Sequence, residues 1–435
     1  MGKMPFIASP MLKKLLRQPV AFALFGATAA FCTYACAYAF RKSITATTFE
    51  GMAFAGINYK IWLITAQVLG YALSKRIGVK VISEMPAGQR ALRILQLIGL
   101  AELALLAFAV VPAPWNIPFL LLNGLPLGMV YGIVLGFLEG RRQTDAMVAG
   151  LTASFIFASG FVKTVALMLI ANWGVSEFWV PALTGGLFVV PLLVSVYALT
   201  LLPPPTSADR LERTDRQPMN ADQRHQFVRN FGGGLLAFIA SYVLLTAFRD
   251  FRDNFGPEIL KSVGITNPGI FTQAETTVAV VTLGVMALLQ LVKNHFRAFQ
   301  LINAIMIGAS VLVGVSTWLF QQGSMSAGTW FTLVGVGLYA AYVPCNGLYF
   351  ERLVAAFRYV STVGFVVTLA DWWGYLGSVG VLLYKNFGQP SISFLDFFVY
   401  AAYGLSVGYA LLVGVAYIAF ARKFAQRSVP QAVDV

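Results

Sequence analysis

Tyr34-Ala-Cys-Ala-Tyr38-Ala-Phe-Arg41-Lys42 closes the first long apolar run of the chain. Positions 34, 38 and 41 stand i, i+4 and i+7, so a helix puts two phenols and a guanidinium on one stripe. An arginine in hydrocarbon costs about 2.5–3.5 kcal/mol on insertion scales and normally faces protein or a watery cavity. Taken alone, the stretch also fits a helix-end arginine snorkelling to the headgroups beneath interfacial tyrosines. A second arginine, Arg249, stands 208 positions later near the end of another apolar run, and it favours an interior role for both.

Of 435 residues, 58% are hydrophobic and 11% charged, which excludes disorder and argues against a soluble globular domain. Apolar runs of about 20 residues recur from end to end. The expected fold is an all-α membrane protein of twelve transmembrane helices in two six-helix pseudo-repeats. The spans fall near 20–48, 57–82, 91–112, 116–139, 147–171, 179–202, 230–260, 268–292, 298–320, 328–351, 358–385 and 393–421. Turn signals such as Pro112-Ala-Pro114, Asn172-Trp-Gly174, Asn267-Pro268 and Asn386-Phe-Gly388 separate them. The first run follows Lys13, Lys14 and Arg17 and is too long for a signal core, so it reads as a retained span.

The net charge of +13 could suggest nucleic acid, but its distribution does not. Lys75, Arg76, Lys80, Arg90, Arg93, Arg141, Arg142, Lys293, Arg297, Arg352, Arg358, Arg422, Lys423 and Arg427 sit in even-numbered connectors and the carboxyl tail. The positive-inside rule then puts both termini in the cytoplasm, and no nucleic-acid partner is needed. A multi-pass protein of a bacterial inner (cytoplasmic) membrane, acting as a monomer, is the expectation. Cys32, Cys36 and Cys345 lie in apolar runs and read as packing residues. His225 and His295 lie in connectors far from acids, so neither a metal nor a cofactor is expected.

The polar stretch 203–229 opens Pro203-Pro-Pro205 and carries mixed charge. It divides the chain into an N-terminal six-helix bundle, 1–202, a cytoplasmic linker, 203–229, and a C-terminal bundle with a short tail, 230–435. The halves look like a repeat. Phe137-Leu-Glu139-Gly-Arg141 and Tyr349-Phe-Glu351-Arg352 end the fourth and tenth spans at an offset near 211, close to that of the two arginines. Two parallel six-span halves are a transporter architecture in which substrate sits between halves that rock about it.

Arg249-Asp250-Phe-Arg252-Asp253-Asn254, before Gly256-Pro257, is the most charged intramembrane stretch. Arg249 shares a helix face with Asp253 at i+4 and Arg252 at i+3, so Arg249–Asp253 pairing is expected, or a self-neutralising helix end. The glycine and proline should weaken the helix there. Lys163 in the fifth span and Asp371 in the eleventh are at nearly equivalent places. Each is a candidate for function, and together they could form a structural salt bridge between halves. Asp371 begins Asp371-Trp372-Trp373-Gly374-Tyr375, whose rings could line a substrate path, and a shielded aspartate could take a coupling proton. Lys42 and Lys60 read as interfacial anchors near an outer mouth, and Glu102 and Glu275 as inter-helix groups. Arginine offers a planar fork for phosphate or carboxylate oxygens, and tyrosines can donate to the remaining oxygens.

With these residues in place the chain resembles the major facilitator superfamily. Gly70-Tyr-Ala-Leu-Ser-Lys75-Arg76-Ile-Gly78-Val-Lys80 is similar to that superfamily's G-x-x-x-D-R-x-G-R-R loop, with Lys75 where the acid is expected. Within it, Tyr34, Tyr38, Arg41 and Lys42 match the Y-x-x-x-Y-x-x-R-K of the organophosphate:phosphate antiporters, the glycerol-3-phosphate and hexose-phosphate transporters. Arg249, eight residues before Pro257, matches their seventh-span arginine. The resemblance implies that these arginines bind the substrate's phosphoryl group. The lysine of that branch's second span falls near Gln67 here, and its fifth-span histidine near Ala158 or Ser159.

The expected function is secondary active transport of a small organic anion, phosphorylated or phosphonate-like, by alternating access, with inorganic phosphate or a proton as coupling species. The substrate-binding set is Arg41, Arg249, Tyr34, Tyr38, Lys163 and Asp371. An alternative keeps the fold but makes it a proton-coupled carrier of a neutral or zwitterionic solute. Asp371 would then be the protonation site, with the arginines paired to acids such as Asp250 or Asp253. A transporter-derived sensor is a third possibility. An enzyme is not expected, because the spans hold no histidine, paired-acid motif or nucleophile–base spacing.

Overall fold

The computed structural model describes residues 18–83, 85–139, 141, 143–204, 221–346, 348–356, 363–385 and 392–428. Most of the expected linker, 205–220, lies outside the described residues.

The described chain is almost wholly helical. Its main helices are α1 (Pro19–Lys42), α2 (Tyr59–Ser83), α3 (Arg90–Val110), α4 (Ile117–Leu138), α5 (Thr144–Trp173) and α6 (Val180–Thr200). They continue with α7 (Ala221–Ser262), α8 (Gly269–Gln290), α9 (His295–Gln321), α10 (Ala327–Asn346), α11 (Leu348–Ala356), α12 (Val363–Leu383) and α13 (Phe394–Ser428). With α10 and α11 taken as successive pieces of one span, this is the expected sequence of twelve. Among the described residues nine helices are long and apolar enough to cross a membrane.

Local chemistry sets the helix ends. Pro19 opens α1, where a missing N–H costs nothing. Asn294, Ser326 and Ser393 cap α9, α10 and α13 by accepting from the backbone N–H three residues on. Gly174, at φ +64°, ends α5 by donating back to Ile170 O. Between α1 and α2 a two-residue hairpin pairs Ala53–Phe54 with Ile57–Asn58. Exposed apolar side chains such as Leu24, Val190, Leu236 and Leu288 give the helices the outward surface that lipid requires.

Contacts divide the chain into two compact units. The first holds Met1–Thr214 and Thr266–Ala279, the second Asp215–Ile265 and Val280–Val435. The start of α8 thus belongs with the first unit and its remainder with the second. In the first unit α1 packs on α5 and α6, and α2 on α4. Lipid tails give helices no hydrophobic reason to associate, so close backbone approach over small residues matters most. A Cβ on Gly70 would meet Leu121 O at 2.1 Å and one on Gly124 would meet Gln67 O at 2.2 Å. In the second unit α7 packs on α12 and α13, and α9 on α10 and α13. Within α7, Phe255 leaves helical geometry at φ −117°, ψ 16°, just before Gly256-Pro257, where the ring removes a backbone donor. The expected weak point in that helix is present.

Candidate functional site

In the first unit the stripe of α1 packs among aromatic side chains. Tyr34 is buried, and its ring meets those of Tyr38 at 5.3 Å and Tyr131 of α4 at 5.2 Å, both edge to face. The Arg41 guanidinium carbon lies 3.8 Å from the Tyr71 ring centroid on α2. Tyr34, Tyr38, Arg41 and Tyr71 line a recess floored by Ala37, Leu127 and Val130. Arg41 therefore stacks on a neighbouring helix of its own bundle.

One side chain frames this position. Buried Asn123 on α4 donates to Phe40 O at 3.1 Å and to Ala101 O at 3.0 Å, and accepts from Gln67 Nε2 at 2.8 Å. It joins α1, α2, α3 and α4 one residue before Arg41. Gln67, where the antiporter resemblance expects a lysine, belongs to this buried amide pair.

The last residue of α1 and the 3-10 turn that follows it, Ser43–Ala46, present three carbonyls to side chains. Thr45 Oγ1 donates to Lys42 O at 2.6 Å, Thr47 Oγ1 to Ile44 O at 2.8 Å, and Lys60 Nζ to Thr45 O at 2.9 Å. Lys60 is fully buried and Lys42 nearly so. The interfacial-anchor reading of these lysines fails because the negative end of α1 draws Lys60 inward. Next to it, the Glu177 carboxylate accepts from Thr48 N, Thr48 Oγ1 and Phe49 N at 2.7–3.1 Å, holding Phe49 at φ +47°.

Lys163 is buried on α5, with Nζ 5.7 Å from the Phe271 ring centroid. Thr164 Oγ1 donates to Pro268 O at 2.8 Å and lies 2.8 Å from Thr272 Oγ1. A Cβ on Gly160 would meet Phe271 O at 2.3 Å. Lys163 thus looks onto the start of α8. Asp371 belongs to the second unit.

In the second unit the Arg249 guanidinium carbon lies 3.7 Å from the Tyr342 ring centroid. Its edge pairs with Asp250 Oδ1, 2.8 Å from one terminal nitrogen and 3.3 Å from Nε. Ser378 Oγ donates to Asp250 Oδ2 at 2.8 Å. Tyr242 stacks on Tyr342 at 5.7 Å and donates to Asp371 Oδ1 at 2.5 Å. The observed ion pair of Arg249 is with its chain neighbour, not the i+4 Asp253 expected from helix spacing. The hydroxyl of Ser378 draws Asp250 toward α12, where the guanidinium can reach it. Arg252 does not share the Arg249 environment. It is buried three turns away along α10, over the Phe331 ring and donating to Phe331 O at 3.0 and 3.3 Å. Trp372 and Trp373, expected beside a substrate path, are exposed on the surface of the unit.

The structure adds residues that the sequence reading passed over, Tyr71, Tyr131, Tyr242, Tyr342 and Ser378, and pairs Arg249 with Asp250, one of the two acids named for it. One signal was available. Tyr242 precedes Arg249 by seven residues as Tyr34 precedes Arg41, and Tyr131 and Tyr342 share the 211 offset of their spans. Each unit therefore repeats a Tyr-Tyr contact between its first and fourth helices beside an arginine.

The family model for DUF5690, described as a family of unknown function, matches residues 43–423. The chain belongs to that family. No curated protein matches it in sequence. Among solved structures it is similar to a D-xylose-proton symporter, with TM-score 0.57, 15% identity and coverage of 90% of this chain and 96% of that one. It is similar to a bacterial homologue of the human lysosomal transporter Spinster, at TM-score 0.54 and 14% identity over 93% and 96%. A bacterial homologue of the human drug peptide transporters PepT1 and PepT2 gives TM-score 0.55 and 13% identity over 92% and 99%. At such identities the likeness is one of fold alone, and this chain has the all-α major facilitator fold.

Proposed function

We propose that the protein is a secondary active transporter that moves a small organic anion, phosphorylated or phosphonate-like, across the membrane by alternating access. The observation that carries this reading is the repeated arginine-on-tyrosine arrangement, Arg41 over Tyr71 and Arg249 over Tyr342. Stacking takes the guanidinium face, so a planar or tetrahedral oxyanion would have to meet the N–H edge, which at Arg249 is held by Asp250. Tyr34 and Tyr38 can donate to remaining oxygens without adding charge. The fold likeness to transporters supports the same class.

Uptake of a labelled organophosphate into proteoliposomes tests it. Arg41→Ala and Arg249→Ala should each abolish uptake while the purified proteins keep their melting behaviour. Uptake unchanged in either variant would remove that arginine from the site.

A second reading, proton-coupled carriage of a neutral or zwitterionic solute, is favoured by the 2.5 Å hydrogen bond from Tyr242 to Asp371. It predicts solute-driven acidification that Asp371→Asn loses.

A further inference from the structure

Arg249 and its neighbour form a closed set. The guanidinium edge is occupied by Asp250 Oδ1, its face by Tyr342, and Asp250 Oδ2 accepts from Ser378. The two side chains are 12% and 15% exposed. An edge that holds a carboxylate cannot offer the same two donors to a substrate oxyanion. At the corresponding place, one residue after Arg41, the first unit carries the buried cation Lys42. The acid belongs to one copy of the repeat alone.

We propose, resting on the anion reading above, that Asp250 is the proton-coupling carboxylate of this transporter. A proton from water binds Asp250, the ion pair opens, and the substrate oxyanion takes the edge of Arg249. One negative group replaces another, so the guanidinium keeps a counter-charge throughout. Ser378 is built for the exchange, because its Oγ also lies 3.1 Å from Gly374 O. When Asp250 is ionised the hydroxyl donates to it. When Asp250 is protonated the hydroxyl turns to Gly374 O and accepts from the acid, so no buried polar group loses its partner.

Among the described residues, other titratable and charged groups come from α7 itself and from the helices packed on it. Its own helix contributes Tyr242, Arg252, spent on Phe331, and Asp253, one turn further along. From α10 come Tyr339 and Tyr342, whose rings meet at 6.4 Å. From α12 comes Asp371, held by the Tyr242 hydroxyl. From α13 this stretch of α7 meets Phe397 and Phe398. Asp371, through the hydroxyl of Tyr242, is a competing acid joined to the network.

The full chain, purified in detergent, is titrated calorimetrically with ethyl methylphosphonate, a monoester that stays a monoanion across the working pH range, in two buffers of different ionisation heat, which counts protons taken up by the protein. The wild type should take up a proton with each anion. Asp250→Asn should bind with no proton uptake and with an affinity independent of pH. Uptake that survives in Asp250→Asn, or that disappears instead in Asp371→Asn, overturns the proposal. A second arm needs no anion. Phenylglyoxal attacks the guanidinium edge, and labelling of Arg249 is read against Arg41 in the same sample by mass spectrometry. The ratio should rise as pH falls in the wild type and should be several-fold higher and pH-independent in Asp250→Asn. Equal ratios in the two proteins overturn the proposal whatever the anion. Ethyl methylphosphonate that binds neither protein, with labelling still governed by Asp250, overturns the anion reading and keeps Asp250 as the acid that controls Arg249.

Discussion

Tyr342 carries Arg249 on its ring face, the guanidinium carbon 3.7 Å from the centroid, and the same Tyr342 ring stacks on Tyr242 at 5.7 Å. The arginine is thus oriented by an aromatic pair from two helices. A desolvated cation–π contact is worth about 2 kcal/mol, so Tyr342→Leu should raise the KM for organophosphate uptake about tenfold or more. Tyr342→Phe should stay near wild type. Equal uptake by the Leu and Phe variants would show that the ring face does not hold the arginine.

Asn123 makes three hydrogen bonds in the buried centre of the first unit. Asn123→Leu leaves the Gln67 amide and two carbonyls without that partner, at a cost of about 1–3 kcal/mol. The thermal midpoint in detergent should fall, and uptake should fall further than stability, because Phe40 directly precedes Arg41. A variant that melts like the wild type would refute the fastening role.

Two glycines on neighbouring helices should respond with opposite signs. Gly124→Ala puts a methyl 2.2 Å from the Gln67 carbonyl oxygen, and the backbone there cannot move aside cheaply. A loss of about 1–3 kcal/mol is expected from overpacking. Gly99, inside α3, has nothing within 4 Å of such a methyl, so Gly99→Ala should stabilise by about 0.5–1 kcal/mol. Melting curves of the two variants that shift the same way would contradict this packing.

Glu177→Gln tests the carboxylate that holds residues 48 and 49. Hydrogen bonds to a charged acceptor are worth about 1.5–3 kcal/mol, so the 47–58 segment should exchange its amide protons much faster in this variant. Exchange at Ala101 and Phe40, deep in the bundle, should stay as it is. Unchanged protection at Thr48 and Phe49 would mean that the aromatic cluster of Phe49 with Tyr59 and Phe178 suffices without the acid.

Much of the fold could be read from hydropathy, because each span repeats one simple composition and the turn residues between them are distinct. The stripe of Tyr34, Tyr38 and Arg41 was legible too, since a single helical period places it. Tyr71, Tyr131 and Tyr342 were not, because what makes them part of a site is a contact with another helix, and helix pairing leaves no local pattern. Asp250 was weighted below Asp253 because adjacent residues do not share a helix face. Ser378, 128 positions away, changes that outcome. Lys60 misled for a related reason. Its composition context is that of an interface, yet a carbonyl of the turn after α1 supplies a buried partner that only the folded chain reveals.

The fastening around Asn123 has a counterpart that differs in kind. At the same offset that relates Tyr131 to Tyr342, the second unit has the buried Val334. After duplication the two copies therefore came under different constraints. Around Arg41, four helices share one amide, so a change at Asn123 is felt by all of them. Around Arg249, the partners are side chains contributed one or two at a time by α7, α10 and α12. A lineage that shifts to a new solute or a new coupling ion would be expected to do so through the second copy, at positions 250, 342, 371 and 378, while the first keeps its frame.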